Sequence, residues 1–250
     1  MGRLGSAPLR LLLLRRAEGP GQAVHGLPVK SFSLFTPGSA QFWKGLPAHP
    51  LVPVSGLRIT EEKNMGETEI IAATRKWVEE VVVGYNLCPF AKRELVRNRV
   101  RFVVSEAETE DELLQALHSE LQRLEDEPEI ETSLLIHPGV LQDFGPYNEF
   151  LDAADGLLAY LDMEGVYQIA SFHPDYRFAG TEPDAAENYT NRSPFPMLHL
   201  LREASLEAAI DSYPDVDGIP QRNIELMNEL GSEKMRSILR SCLDESTRKV

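Results

Sequence analysis

Two stretches of the chain end in the same dipeptide. Leu134-Leu135-Ile136 runs into His137-Pro138, and Ala170-Ser171-Phe172 runs into His173-Pro174. A proline ends ladder pairing and turns the chain away, so each imidazole is expected on the last pleat of a strand. If those strands are parallel neighbours, about 4.8 Å apart, both rings emerge at one sheet edge, outside the carboxyl ends where open α/β sheets bind ligands. Imidazole titrates near pH 6.5 and suits general acid-base work. The plainer role for either His is to hydrogen-bond a loop carbonyl. Asp175, two residues beyond His173, could orient its imidazole or hold a metal, although Asp after Pro is also ordinary turn chemistry.

About twenty residues of irregular chain follow His173, and loops of that length inside compact domains are often functional. They carry Arg177, Asn191 and Arg192. Arg192 suits bidentate contact with a carboxylate or phosphate. Ser193 can cap a helix whose first turn holds Pro194, and its free amides would add an anion seat. His199 would lie on that helix, with Arg202 and Glu203 three and four residues on. Lys92 and Arg93 are further candidates for an anion clamp, and could lower the thiol pKa of nearby Cys88. Cys88-Pro89-Phe90 invites comparison with glutaredoxin-like motifs, but Ala91 stands where a second Cys would be expected. An inert, buried thiol is the simpler reading.

The elements that would position these residues begin near residue 64. Asn64-Met-Gly-Glu67 has capping-box form and precedes Ile70, Thr74, Trp77, Val78 and Val81 on one helical face, with Gly84 placed to stop it. Val100–Val104 reads as a strand. Thr109 and Glu112 form another capping box, ahead of the stripe Leu113, Leu117, Leu121 and Leu124. Residues 132–138 read as an interior strand, Tyr147 to Leu161 as a helix, and 166–174 as a third strand. Helices follow the long loop, two of them near 222–230 and 233–243. Strands separated by helices of this length predict an α/β fold: a small, mostly parallel three-stranded sheet with βαβ crossovers and a C-terminal helical segment.

Residues 1–63 read as an organelle-targeting leader or disordered extension and 64–250 as one globular α/β domain. Residues 1–60 carry seven basic residues against Glu18 alone, a net +6, which leaves −20 over the rest of a chain whose total is −14. An acid-poor, Arg-bearing leader on an acidic body reads as an organelle transit peptide, mitochondrial by preference, with the plastid as the alternative. No apolar run approaches the roughly 18 residues that span a bilayer. A body this acidic is a poor partner for nucleic-acid phosphates, so neither nucleic acid nor membrane is expected. Two cysteines without close spacing make neither a zinc framework nor a disulfide scaffold. No phosphate-loop, dinucleotide, nucleophile-elbow or zincin motif appears, so no cofactor is implied.

Gly84-Tyr-Asn-Leu-Cys-Pro-Phe-Ala-Lys92, Leu134-Leu-Ile-His-Pro-Gly-Val-Leu141, Tyr147-Asn-Glu-Phe-Leu-Asp-Ala-Ala-Asp155, residues 170–181 and residues 188–203 together are similar to a largely bacterial family of uncharacterised proteins, the domain-of-unknown-function family fourteen-fifteen. The resemblance covers about residues 70 to 240 and brings no established activity. It implies weight for Asn86, Cys88, Pro89, His137, His173, Asp175, Asn191, Arg192, Ser193, His199 and Arg202. Arg177 departs from the expected pattern.

Three functions are expected from these residues. The first is an organellar enzyme of hydrolase or transferase type acting on a small anionic metabolite. His173, Asp175 and His137 would be catalytic, and Arg192, Ser193, Asn191, His199, Arg202 and Asn86 would bind the substrate. The second is a zinc or iron site made from His173, Asp175, His137 and Cys88. The third is a non-catalytic binding or assembly protein.

Overall fold

A computed structural model of the chain describes residues 65–246, with side chains through residue 244. The expected leader, and Asn64 with the capping role given to it, lie outside the described residues. Helix α1 (Glu67–Trp77) starts instead at Gly66, whose amide donates to the Glu69 carboxylate at 3.0 Å. It continues as a π-helical segment, Val78–Val83. The amide of Gly84 reaches back five residues to the Glu79 carbonyl, and that of Leu87 reaches the Val82 carbonyl. A Cβ at Gly84 would meet the Glu80 carbonyl oxygen at 2.2 Å, so only glycine permits this exit from the helix.

The short helix α2 (Ala91–Val96) precedes β1 (Val100–Val104), α3 (Glu110–Asp126), β2 (Thr132–Ile136), α4 (Phe144–Tyr160) and β3 (Tyr167–Phe172). The capping box at α3 forms as its sequence requires. Glu112 N donates to Thr109 Oγ1, and Thr109 N to Glu112 Oε2. Caps of this kind contribute about 1 kcal/mol.

The long connection after β3 is ordered around a 3₁₀ turn, Ala186–Thr190. Asn188, wholly buried, is its hub: its side chain accepts from Phe178 N and Thr181 Oγ1 and donates to Glu182 O.

The next element corrects the expected helix after Ser193. Residues Met197–Arg202 are a strand, β4, and only from Glu203 does helix α5 (Glu203–Asp211) begin. The reason is packing. Leu198 and Leu200 point into one core while Met197 and Leu201 face the other way, a period of two that a helix could not satisfy. Helices α6 (Ile219–Leu230) and α7 (Ser232–Ser246) follow. The fold is therefore α/β, with seven α-helices among the described residues.

The sheet has four strands in the order β1-β2-β4-β3 and is mixed rather than mostly parallel. β1 and β2 run parallel, while β4 lies antiparallel between β2 and β3. One face carries Leu135, Ile169, Leu198 and Leu200 against Leu113, Leu117, Leu121 and Leu124 of α3 and Phe150, Leu151 and Ala154 of α4. The other carries Leu134, Ile136 and Met197 against Trp77, Val78 and Val81, with Met227 of α6 and Met235 of α7. None of the described helices is long and apolar enough to cross a membrane.

Candidate functional site

Because β4 separates β2 from β3, the two His-Pro strand ends are not neighbours. They still leave the sheet on the same side, since Ile136 and Phe172 are both in register with Met197. Tyr147 of α4 fills the gap between the imidazoles. It stacks on His137 at 5.8 Å and packs tilted against His173 at 5.0 Å, between ring centres. Its hydroxyl donates to the Met197 carbonyl at 2.8 Å and accepts from Phe172 N at 3.0 Å.

His137 and His173 are wholly buried. His173 accepts from the Asp175 amide at Nδ1, so its Nε2–H donates to the Leu141 carbonyl. Asp175 thus orients the ring through its backbone, and its side chain is exposed. His137 donates from Nδ1 to Val140 O at 3.0 Å, and its Nε2 is buried without a partner. Burial lowers the pKa of His137 to about 4. Burial also lowers that of His173, against the Leu141 bond and the charge of Asp175, which raise it.

The other residues after His173 tie the connection down. Asn191 donates to Ser171 O, and its carbonyl accepts from His173 N. Arg192 donates to Tyr176 O and Pro183 O and lies over the Tyr189 ring. Ser193, which caps no helix, donates to Phe195 O. Arg177 donates to Thr181 O. Arg202 donates to Ile130 O, Leu124 O and the Tyr167 hydroxyl. Asn86 takes a left-handed turn, φ 54°, just before Cys88. Among the described residues no group of three or more His, Cys, Asp or Glu is placed to hold a metal ion. In particular, Cys88 is not brought to His137, His173 and Asp175.

Cys88 instead lines a cavity of about 150 Å³ on the α1 face of the sheet, together with His199. The floor comes from β2, β3 and β4: Thr132, Leu134, Phe172, His199 and Leu201. The walls come from Trp77, Val78 and Val82, from the turn leading into α2, and from Leu206 and Ala209 of α5. The π-helical segment helps to shape this wall, as such segments often do beside functional sites. Trp77 meets Phe172 edge-on at 5.3 Å, and Phe172 lies 6.0 Å from the His199 ring, so three rings line one side.

His199 has one committed nitrogen and one open one. Thr132 Oγ1 gives its proton to Leu200 O at 2.6 Å, so its 2.7 Å contact with His199 Nε2 must be a bond donated by the imidazole. That fixes the tautomer and leaves Nδ1 as an acceptor with no hydrogen-bond partner among the described residues. Burial alone lowers the pKa of His199 to about 4. Burial pushes the Cys88 thiol up, against the Phe90 and Ala91 amides, which pull it down. Both groups are therefore uncharged at neutral pH.

Near the surface the lining turns ionic. Arg93 pairs with Glu94 at 2.5 Å, and Arg99 pairs with both Glu94 and Glu131. Trp77 is 1% exposed, and its Nε1–H has no partner. Buried polar groups are nearly always paired, so an orphan asks for a reason.

Sequence reasoning picked out Cys88 and His199 but missed Thr132 and Trp77. Thr132 opens a strand that was legible, yet only the antiparallel pairing with β4 brings it to His199. No curated protein and no solved structure matches the chain. The family described as "Protein of unknown function (DUF1415)" does match, over residues 69–237. Its span takes in the strand-end cluster, the tied connection and every residue that lines the cavity, and the chain belongs to that family.

Proposed function

We propose that this chain binds a small organic molecule in the cavity between the sheet and the α1–α5 side, with His199 as its principal polar contact. One observation carries the reading. His199 lines the cavity, is held in a single tautomer by Thr132, and has no hydrogen-bond partner at Nδ1 among the described residues. A mostly apolar concavity with a few convergent polar groups is the usual form of a small-ligand site. The strand-end cluster lacks that form, since its imidazoles are buried against backbone and Tyr147.

A second reading, an enzyme of hydrolase or transferase type, is favoured by the presence of a thiol and an imidazole on one cavity. Burial weakens both as catalysts, because neutral His199 is a poor base and Cys88 holds its proton. Binding therefore comes first.

The test is an unbiased screen of small metabolites against the full chain, by thermal shift and by NMR mapping of the hits. The hits are expected to perturb residues around His199, and Leu206→Trp, which fills the cavity, should abolish them. Hits that map to residues 173–196 and survive Leu206→Trp would overturn the reading.

A further inference from the structure

Independently of the cavity, we infer that this chain forms a symmetric dimer in which β1 pairs antiparallel with β1 of a second copy, joining the two sheets into one. The sheet has two outer strands, β1 and β3, and they differ in cover. All of β3 but its last residue is buried, whereas every residue of β1 is only half-buried. The Arg99 carbonyl accepts from the Glu131 amide, and the Ser105 amide donates to the Ile136 carbonyl. Backbone groups alternate in direction along a strand. Arg101 and Val103 therefore face β2, while Val100, Phe102 and Val104 turn their amides and carbonyls outward. None of these outward groups has a hydrogen-bond partner among the described residues.

Such an edge is commonly guarded by a proline, a bulge or a charge. β1 holds no proline, and its residues pair one to one with β2 without a bulge. Its charged residue, Arg101, is bonded to Glu120 of α3 at 2.7 Å. Arg75 lies over the Phe102 ring at 4.4 Å but donates to none of the outward carbonyls.

The occupant follows from the strand itself. With Phe102 opposite Phe102 of the second copy, Val100 stands opposite Val104, and each outward residue exchanges both bonds with its counterpart. The Phe102 rings then form an aromatic cross-strand pair, whereas sliding the strands until Arg101 faced itself would set like charges opposite. Charge at the ends selects the same arrangement. Arg97, before the strand, and Glu106 and Glu108, after it, are exposed, with no side-chain partner among the described residues. An antiparallel two-fold brings the cation of each copy to the acids of the other. The two Arg75 side chains approach near the axis, where solvent and salt screen them. The contact is self-complementary and closes at two copies.

Sedimentation equilibrium of the full chain should show a monomer–dimer equilibrium, with amide exchange at Val100, Phe102 and Val104 slowing as concentration rises. Arg97→Glu and Glu106→Arg change exposed residues only, and each should weaken the dimer about tenfold, because the reversal acts at both ends. An equimolar mixture of the two variants should recover dimers, since the mixed pair has opposite signs at each end, and so should the double variant. A chain that stays monomeric, a dimer indifferent to both single changes, or weakening without recovery on mixing would overturn the inference. A monomer whose three amides exchange slowly would overturn it too, assigning the edge to another segment of the same chain.

Discussion

Histidine appears in two settings within about ten ångströms of strand spacing across one sheet, and the settings differ in what surrounds the ring. At the strand ends, His137 and His173 are wholly buried and hold the backbone of residues 140–141 and 175. In the cavity, His199 is held at one nitrogen and open at the other. An unpaired nitrogen does not set them apart, since His137 Nε2 also lacks a partner; what does is that His199 lines the cavity while both strand-end rings are wholly buried. Burial lowers the pKa of all three.

The largest effect that could break this comparison is acid unfolding. A histidine in the unfolded chain titrates near 6.5, and in the fold His137 titrates at about 4. Above pH 6.5 the group is neutral in both states and stability is full. As the pH falls toward 4, the unfolded chain takes up a proton that the fold refuses, and stability drops. For His137 alone the loss is about 3 kcal/mol, and His173 adds to it in the same direction. Urea unfolding at pH 7, 5.5 and 4.5 measures this, and a flat profile would show that the strand-end rings are not held neutral.

A middle-sized effect is expected from Tyr147→Phe. It strips the Met197 carbonyl and the Phe172 amide of their shared partner, at a cost of about 2 kcal/mol for groups buried without a bond. Affinity for cavity ligands should not change. A loss of binding larger than the loss of stability would tie the two regions together.

The smallest is Arg192→Ala, worth about 1 kcal/mol for bonds at a partly exposed site. Faster amide exchange within residues 174–190 should report it, with ligand affinity unmoved. Were Arg192 a clamp for an anion, affinity would fall while exchange stayed as it was.

Much of this architecture was legible in the residues. The two His-Pro strand ends, the capping box at Thr109 and the leucine stripe of α3 all stand where periodicity and capping put them. β4 was not legible. Met197-Leu-His-Leu-Leu201 is short and apolar, and such a run fits a strand or a buried helix equally well by pattern. Ser193-Pro194 before it and Arg202-Glu203 after it imitate a helix start and an exposed helical face.

Once β4 is a strand, the rest follows: a mixed sheet, separated strand ends, and His199 beside Thr132. Cys88 and His199 could be named from the chain, but their meeting at one cavity depends on pairings across 67 residues and on a π-helical turn with no sequence signature. The residues after His173 carry a long motif because Asn188, Asn191 and Arg192 must each reach a particular carbonyl. Several polar residues in one connection resemble a reaction centre in sequence, and here the side chains of Asn188, Asn191 and Arg192 each donate to backbone carbonyls.

The placement of β4 sets an order on assembly. The inner position between β2 and β3 is taken by the last of the described strands to leave the ribosome, and until residue 202 is available those two have no common partner. A nascent chain stopped before Met197 exposes unpaired strand edges, the kind of surface that invites pairing with other chains. Closure over so long a separation is slow, and the hydrophobic floor of the cavity is completed in that same late step.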